Sequence, residues 1–246
     1  MPGNSNIMSS KGRSEALSFH RDLPVPVVIR PMRSARRLRL RFDEIRGVLK
    51  LTCPKRMSER TALAWAAEQR GWVEAQMARA MPAEPFLPGS AIPVEGQEVQ
   101  LTWIEGEART PRLVGQELVC GGPREAFSKR IESFLRRHAL TTLSREAAEF
   151  ADKAGVAVRA VSIGDASTRW GSCSAERRIR FSWRLILAPP EARRYVVAHE
   201  VAHLVHLNHG SRFKALEAKL FDGDIDAARA SLRLVGPRLK RIGRGS

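Results

Sequence analysis

The residues whose types and spacing could do chemistry are His199-Glu200-Val201-Ala202-His203. On a helix, two histidines four positions apart lie on the same face, about 6 Å apart along the axis, so both imidazoles can reach one zinc ion. Glu200 projects from the neighbouring row. There its carboxylate would face the water on an open zinc position and take its proton, acting as a general base rather than a ligand. The pair sits among Val196, Val197, Val201, Leu204 and Val205. Burying unligated histidines and a carboxylate on such an apolar helix would be costly, which favours a metal site over a chance match.

A third protein ligand is needed, and three residues compete for the place. On an unbroken helix His206 would stand about 10 Å beyond His199, too far to share the ion. His209 is better placed, because Asn208 tolerates a left-handed conformation and Gly210 is permissive, so the chain could turn and swing the imidazole back under the metal. Glu217 is the alternative on the next amphipathic segment. The expected site is therefore Zn2+ held by His199, His203 and His209, with water in the fourth position and Glu200 as base. His206 is expected to pack or donate a hydrogen bond beside it.

The elements that must position these groups are legible upstream. Pro189 and Pro190 suit the first turn of the metal helix. Before them, 156–163 and 179–187 read as strands separated by a polar loop, 164–178. The loop carries Thr168-Arg169-Trp170-Gly171-Ser172-Cys173-Ser174, and its placement makes it a wall of the active cleft. Gly171 allows a backbone conformation closed to other residues, and Arg169 would serve as a fixed cation for developing oxyanion charge, although a purely structural arginine fits as well. Cys173 is not expected to be a nucleophile, since no paired histidine is specified.

Farther upstream, 124–154 has helical periodicity, with a break expected near the threonines at 141 and 142, and Gly155 is a plausible cap. Strands are expected over 94–104 and 113–120. A proline-rich bend covers 82–93. A helix begins at Ser58 and runs to about Arg79, with Trp65 and Trp72 in the core. Strands near 38–42 and 48–52 form a hairpin through Arg46-Gly47, after an apolar run at 25–29.

The chain has 246 residues, 43% of them apolar, enough for a real core. Its three cysteines, Cys53, Cys120 and Cys173, form neither a disulfide framework nor a thiolate cluster, which fits a reducing compartment. No transmembrane span or signal peptide is indicated, so no membrane association and a cytoplasmic location are expected. The net charge of +16 draws polyanions. Arg33, Arg36, Arg37, Arg39 and Arg41 form a strip that fits either the solvated outward positions of an edge strand or weak, salt-dependent, non-specific nucleic-acid association.

Arg169-Trp170-Gly171-Ser172-Cys173, Trp183-Arg184-Leu185-Ile186, Ala188-Pro189-Pro190, Tyr195-Val196-Val197 and the stretch from His199 to His209 together resemble the YgjP-like family of zinc metallopeptidases, related in their metal helix to SprT-like proteases. The resemblance covers roughly residues 25 to 240. It implies zinc ligation by His199, His203 and His209, Glu200 as base, and peptide or unfolded-protein substrates. Because the family also includes a member described as hydrolysing UTP to UMP and diphosphate, a nucleotide substrate is the alternative. Arg180, Ser182 and Phe221 depart from the family's usual residues. The expected fold is α+β: a flexible tail over 1–22, a β-rich region with a long helix over 23–121, a zincin-like metallopeptidase domain over 122–241, and a short tail over 242–246.

Overall fold

Alternation of apolar and basic residues makes the first sheet two-sided. The computed structural model describes residues 17–44, 46–79, 82–166 and 169–245, and its chain separates into two units, Met1–Pro82 and Ala83–Ser246. In the first unit, β1 (Leu17–Ser18), β2 (Val27–Met32), β3 (Arg39–Asp43) and β4 (Val48–Pro54) form a sheet of order β1-β2-β4-β3. The β3–β4 hairpin is antiparallel, and β2 runs parallel to β4. Val27, Leu49, Leu51 and Cys53 point into a core closed by Ala62, Leu63 and Ala66 of α1 (Glu59–Glu68). Ser58 caps this helix, its hydroxyl accepting from the Thr61 N–H at 3.1 Å.

The single helix expected over 58–79 is interrupted at Gln69, whose N–H bonds back to the carbonyls of Ala66 and Ala67. The chain then resumes as α2 (Arg70–Arg79). Trp65 is half-buried, whereas Trp72, expected in the core, is 41% exposed. Of the tail expected over 1–22, residues 1–16 lie outside the described residues, and Leu17 and Ser18 pair with Val28 and Val27.

The second unit begins inside the proline-rich segment. This boundary differs from the division drawn at 121/122, because the strands before it share a core with the helix after it. Those strands are β5 (Ala91–Val94), β6 (Gln97–Trp103), β7 (Arg112–Val114) and β8 (Glu117–Cys120), in the order β5-β6-β8-β7. Glu95 and Gly96 take positive φ of 52° and 78°, so the strand expected over 94–104 is the second arm of a tight hairpin. Ile92, Leu101 and Leu118 pack with Phe127, Ile131 and Leu135 of α3 (Phe127–Ala154). That helix runs unbroken through Thr141 and Thr142 and ends at Gly155 with φ 66°.

A second small sheet follows, of order β10-β11-β9, from β9 (Ala160–Gly164), β10 (Gly171–Cys173) and β11 (Arg178–Ser182). The polar loop expected over 164–178 contains a strand, β10, and the strand expected over 179–187 stops at Ser182. Trp183–Leu187 forms a buried 3-10 helix instead. Its apolar residues are buried on all sides, so no alternating pattern separates it from a core strand. The remaining helices are α4 (Pro190–Ala202), α5 (Ser211–Phe221) and α6 (Ile225–Leu239). Residues 242–245, placed in a tail from the sequence, are anchored: Ile242 is fully buried and its carbonyl accepts from Arg184, while Arg244 bonds Asp165 at 2.6 Å.

Candidate metal centre

Three contacts set the direction of α4. Its start carries Pro190 in the first turn, and Gly96 lies so close that a Cβ there would sit 2.9 Å from the Pro189 Cα. The Glu95 N–H also donates to the Ile186 carbonyl just upstream at 2.7 Å. One turn into the helix, buried Arg193 forks onto buried Glu146 of α3 with bonds of 2.8 to 3.2 Å. A buried pair of this kind contributes less than its Coulomb energy suggests, but losing one partner leaves an uncompensated charge in the core. It therefore fixes how α4 lies on α3.

The helix ends earlier than expected. The turn toward His209 was expected at Asn208, but α4 stops at Ala202, with His203 as its C-cap. The Leu204 and Val205 N–H groups bond to the Val201 and Ala202 carbonyls, which tightens the last turn. Neither Asn208 nor Gly210 has the left-handed backbone invoked for the turn: among the described residues the positive-φ positions exclude both, and Gly210 is the extended N-cap of α5 at φ −72°. The result nevertheless brings His209 back to His199 and His203.

Candidate ligand atoms of His199, His203 and His209 lie within 4.8 Å of one another. The ring nitrogens facing away from the cluster have defined partners. His199 Nδ1–H donates to Glu217 Oε1 at 2.7 Å, and His203 Nδ1–H donates to the His206 carbonyl at 3.1 Å. Each bond fixes the tautomer that leaves the Nε2 lone pair free, as metal-ligating histidines require. His203 is further biased to its neutral form by burial, which lowers its pKa, with His199 and His209 adding repulsion against the His206 carbonyl's opposing pull. Phe213 underlies all three imidazoles, with ring centroids 4.6 to 5.1 Å away.

The donor set can be tested against a metal's needs. Two nitrogens each about 2.0–2.1 Å from a zinc ion at a tetrahedral angle stand about 3.3–3.4 Å apart. His199 Nε2 and His209 Nε2 are 3.3 Å apart. Two lone pairs aimed at each other over that distance repel unless a cation or proton lies between them, so these residues fit a tetrahedral ion. Glu217, weighed as a third ligand, lies behind His199 instead. It is 2% exposed, and it accepts from Tyr195 Oη at 3.1 Å and from Arg229 Nη2 at 3.4 Å. His206 contributes its carbonyl to His203 and is not part of the nitrogen cluster.

Glu200 is 6% exposed and lies against Gly171 of β10. A Cβ at Gly171 would fall 2.5 Å from Glu200 Oε1 and 2.6 Å from its Cγ, so only glycine allows this approach. Gly171 is thus required for the space its hydrogen leaves beside the carboxylate, since its φ is not positive. Burial pushes the Glu200 carboxyl up to about 7, with the nearby positive charge of Arg169 pulling the other way. Arg169 itself is exposed, just ahead of β10, while Ser167 and Thr168 lie outside the described residues. Cys173 is half-buried, and burial, together with the Glu200 charge, raises its thiol pKa, which is unhelpful for a nucleophile.

The network that supports His199 was only weakly legible in the sequence. Tyr195, Glu217 and Arg229 form one network behind His199, with Arg229 Nε donating to Tyr195 Oη at 2.7 Å. A weak signal existed for Tyr195, one turn before His199 on the same face. None existed for Arg229, which comes from α6, or for the Arg193–Glu146 pair.

No curated protein matches the chain. A crystal structure of the metallopeptidase zymogen of Pyrococcus abyssi abylysin is similar, at 21% identity over 41% of this chain and 97% of that one, with a TM-score of 0.35. The family model described as YgjP-like, metallopeptidase domain, matches residues 36–234, a span that includes the three clustered histidines, Glu200 and Gly171. The chain belongs to the YgjP-like metallopeptidase family.

Proposed function

We propose that this protein is a zinc-dependent peptidase that hydrolyses peptides or unfolded polypeptides, with His199, His203 and His209 as ligands and Glu200 as general base. The observation that carries the reading is the convergence of three imidazoles, two of them with their far nitrogens already engaged, beside a buried carboxylate of raised pKa. Three ligands with an adjacent base suit an open catalytic site, whereas structural zinc normally has four closed protein ligands.

A polypeptide substrate is favoured by β10, the outer strand of its sheet. Trp170 and Ser174 bond to Ser182 and Arg178 at 2.7 and 2.9 Å, and Ser172 stands opposite Arg180. Antiparallel pairing alternates, so Gly171 and Cys173 turn their backbone groups away from β11, to the edge that no strand among the described residues pairs, where an extended peptide can add as a further strand beside Glu200.

Zinc, when bound, would supply Lewis acidity toward the attacking water and the scissile carbonyl. Glu200 accepts a proton from that water at a carboxylate oxygen as the new C–O bond forms. It returns the proton to the amide nitrogen as the C–N bond breaks, releasing a carboxylic acid and an amine. A carboxyl with a pKa near neutrality is matched to both halves of this exchange. Glu217 holds the His199 ring in register, and Arg169 offers positive charge to the developing oxyanion.

The test is a zinc-loaded screen of wild type beside Glu200→Gln on unfolded polypeptides and on nucleoside triphosphates. Polypeptide hydrolysis should fall by at least about 100-fold in the variant while zinc content is retained. His203→Ala should lose both zinc and activity. Turnover confined to nucleoside triphosphates would replace the peptidase reading, and full turnover in Glu200→Gln would remove the base from the mechanism.

A further inference from the structure

The positive charge of this chain is unevenly placed. The first unit, a third of the sequence, holds 16 Lys and Arg against seven Asp and Glu, which is +9 of the total +16. Pairing is uneven too. In the second unit many arginines are committed to carboxylates: Arg112 to Glu107, Arg136 to Glu132, Arg184 and Arg244 to Asp165, Arg194 to Glu149, and Arg238 to Glu84 and Glu98. In the first unit Lys50 pairs with Asp43 and Arg70 with Glu74, but Arg33, Arg36, Arg37, Arg39 and Arg41, close together in sequence, are all exposed, and among the described residues no side-chain hydrogen bond or ion pair engages them. Arginine-rich composition alone does not gather five such side chains between positions 33 and 41.

The strand register adds a shape. Arg39 stands directly opposite Thr52, and Arg41 opposite Lys50, so β3 and β4 present these side chains on one face. Leu40, Phe42, Leu49 and Leu51 occupy the other face, against the core. Arg39 and Arg41 are two residues apart, about 6.8 Å along the strand. Beside them the chain between β2 and β3 walls a groove of about 550 Å³, whose lining includes Ser34, Arg36, Arg37, Arg39 and Thr52. Three guanidinium groups and two hydroxyls in one concave recess are donors for phosphate oxygens.

We propose that this groove binds the phosphodiester backbone of nucleic acid without reading its bases. Concavity separates this partner from an anionic bilayer, which presents a flat surface, whereas a sugar-phosphate strand can enter a groove of this size. The donors are suited to phosphate, and no ring of the groove lining offers a surface on which bases could stack, so sequence preference is not expected. This inference concerns the first unit alone and does not depend on the chemistry proposed for the second.

Fluorescence anisotropy with labelled 20-nucleotide mixed-sequence oligomers tests it, in single-stranded DNA, single-stranded RNA and duplex arms, from low to high salt. Wild type should bind at low salt, with a log–log salt slope of about 0.7 per phosphate contact for single strands or about 0.9 for duplex. Arg37→Glu/Arg39→Glu should weaken binding at least about tenfold and flatten the slope by about two contacts. Arg137→Glu/Arg145→Glu, the same charge change on exposed positions of α3, should have much less effect. If the groove variant melts at a lower temperature than wild type, Arg37→Gln/Arg39→Gln is read instead. Equal losses in the groove and α3 variants would overturn the proposal, as would unchanged affinity in the groove variant or no binding at low salt. Arginine-dependent binding to phosphatidylserine vesicles with none to oligomers would assign the surface to membranes, also against it.

Discussion

Without metal, the buried Glu200 should make this protein less stable as pH rises, and Glu200→Gln should remove that loss. The carboxyl is 6% exposed, and burial raises its pKa from an ordinary 4.5 to about 7. Between those values the native state holds a proton that the unfolded chain has released, so stability falls with increasing pH. The favourable contribution is fully present below 4.5 and is lost as pH rises through 7. A difference of about 2.5 units at about 1.36 kcal/mol each gives roughly 3 kcal/mol as an order of magnitude. For a unit of this size that corresponds to roughly 6–12 °C in melting temperature. Glutamine is nearly isosteric and neutral at every pH, so the chelator-treated variant should exceed wild type by up to this amount at pH 8 and match it near pH 4. Denaturant titrations of both proteins across that range provide the measurement. Added zinc should narrow the gap, because a neighbouring cation favours the ionised carboxylate. A stability difference that does not change with pH, or a variant less stable than wild type at pH 8, would refute the reasoning.

Two further outcomes follow from the same site. Gly171→Ala would put a Cβ 2.5 Å from Glu200 Oε1 and displace the carboxylate by nearly an ångström. Hydrolysis should then fall about 100-fold while zinc content, measured on the same sample, stays at wild-type level. Glu217→Gln keeps the shape but weakens the bond that orients His199, so a competition titration with a chelator should show zinc affinity reduced by about 10- to 100-fold. An unchanged affinity would mean that Tyr195 and Arg229 hold Glu217 for packing alone.

Features set by short stretches of chain were legible in the sequence. The four-residue step from His199 to His203 is a property of any helix, Pro190 marks the start of that helix, and Gly155 ends α3 in the left-handed conformation that glycine favours. The β3–β4 hairpin follows from alternation around Arg46-Gly47 in the same way. Features set by contacts between distant residues were not legible. Periodicity could not distinguish a strand from the buried 3-10 turn Trp183–Leu187, because every side chain there is enclosed by helices and strands from elsewhere in the chain. Nor could it place β5–β8 with α3, since that grouping rests on a shared core.

The third candidate ligand shows the division most clearly. Sequence narrowed it to His206, His209 or Glu217, and the turn chemistry invoked for His209 is not the one the chain uses. Tertiary structure sets His209 Nε2 3.3 Å from His199 Nε2 and puts Glu217 on the far side of the same ring. Glu217 is held there by Tyr195 from α4 and Arg229 from α6, two elements separated by more than twenty residues. Side-chain type and spacing can nominate a ligand, but which atom faces the metal depends on what packs behind it, and those partners come from other elements of the fold.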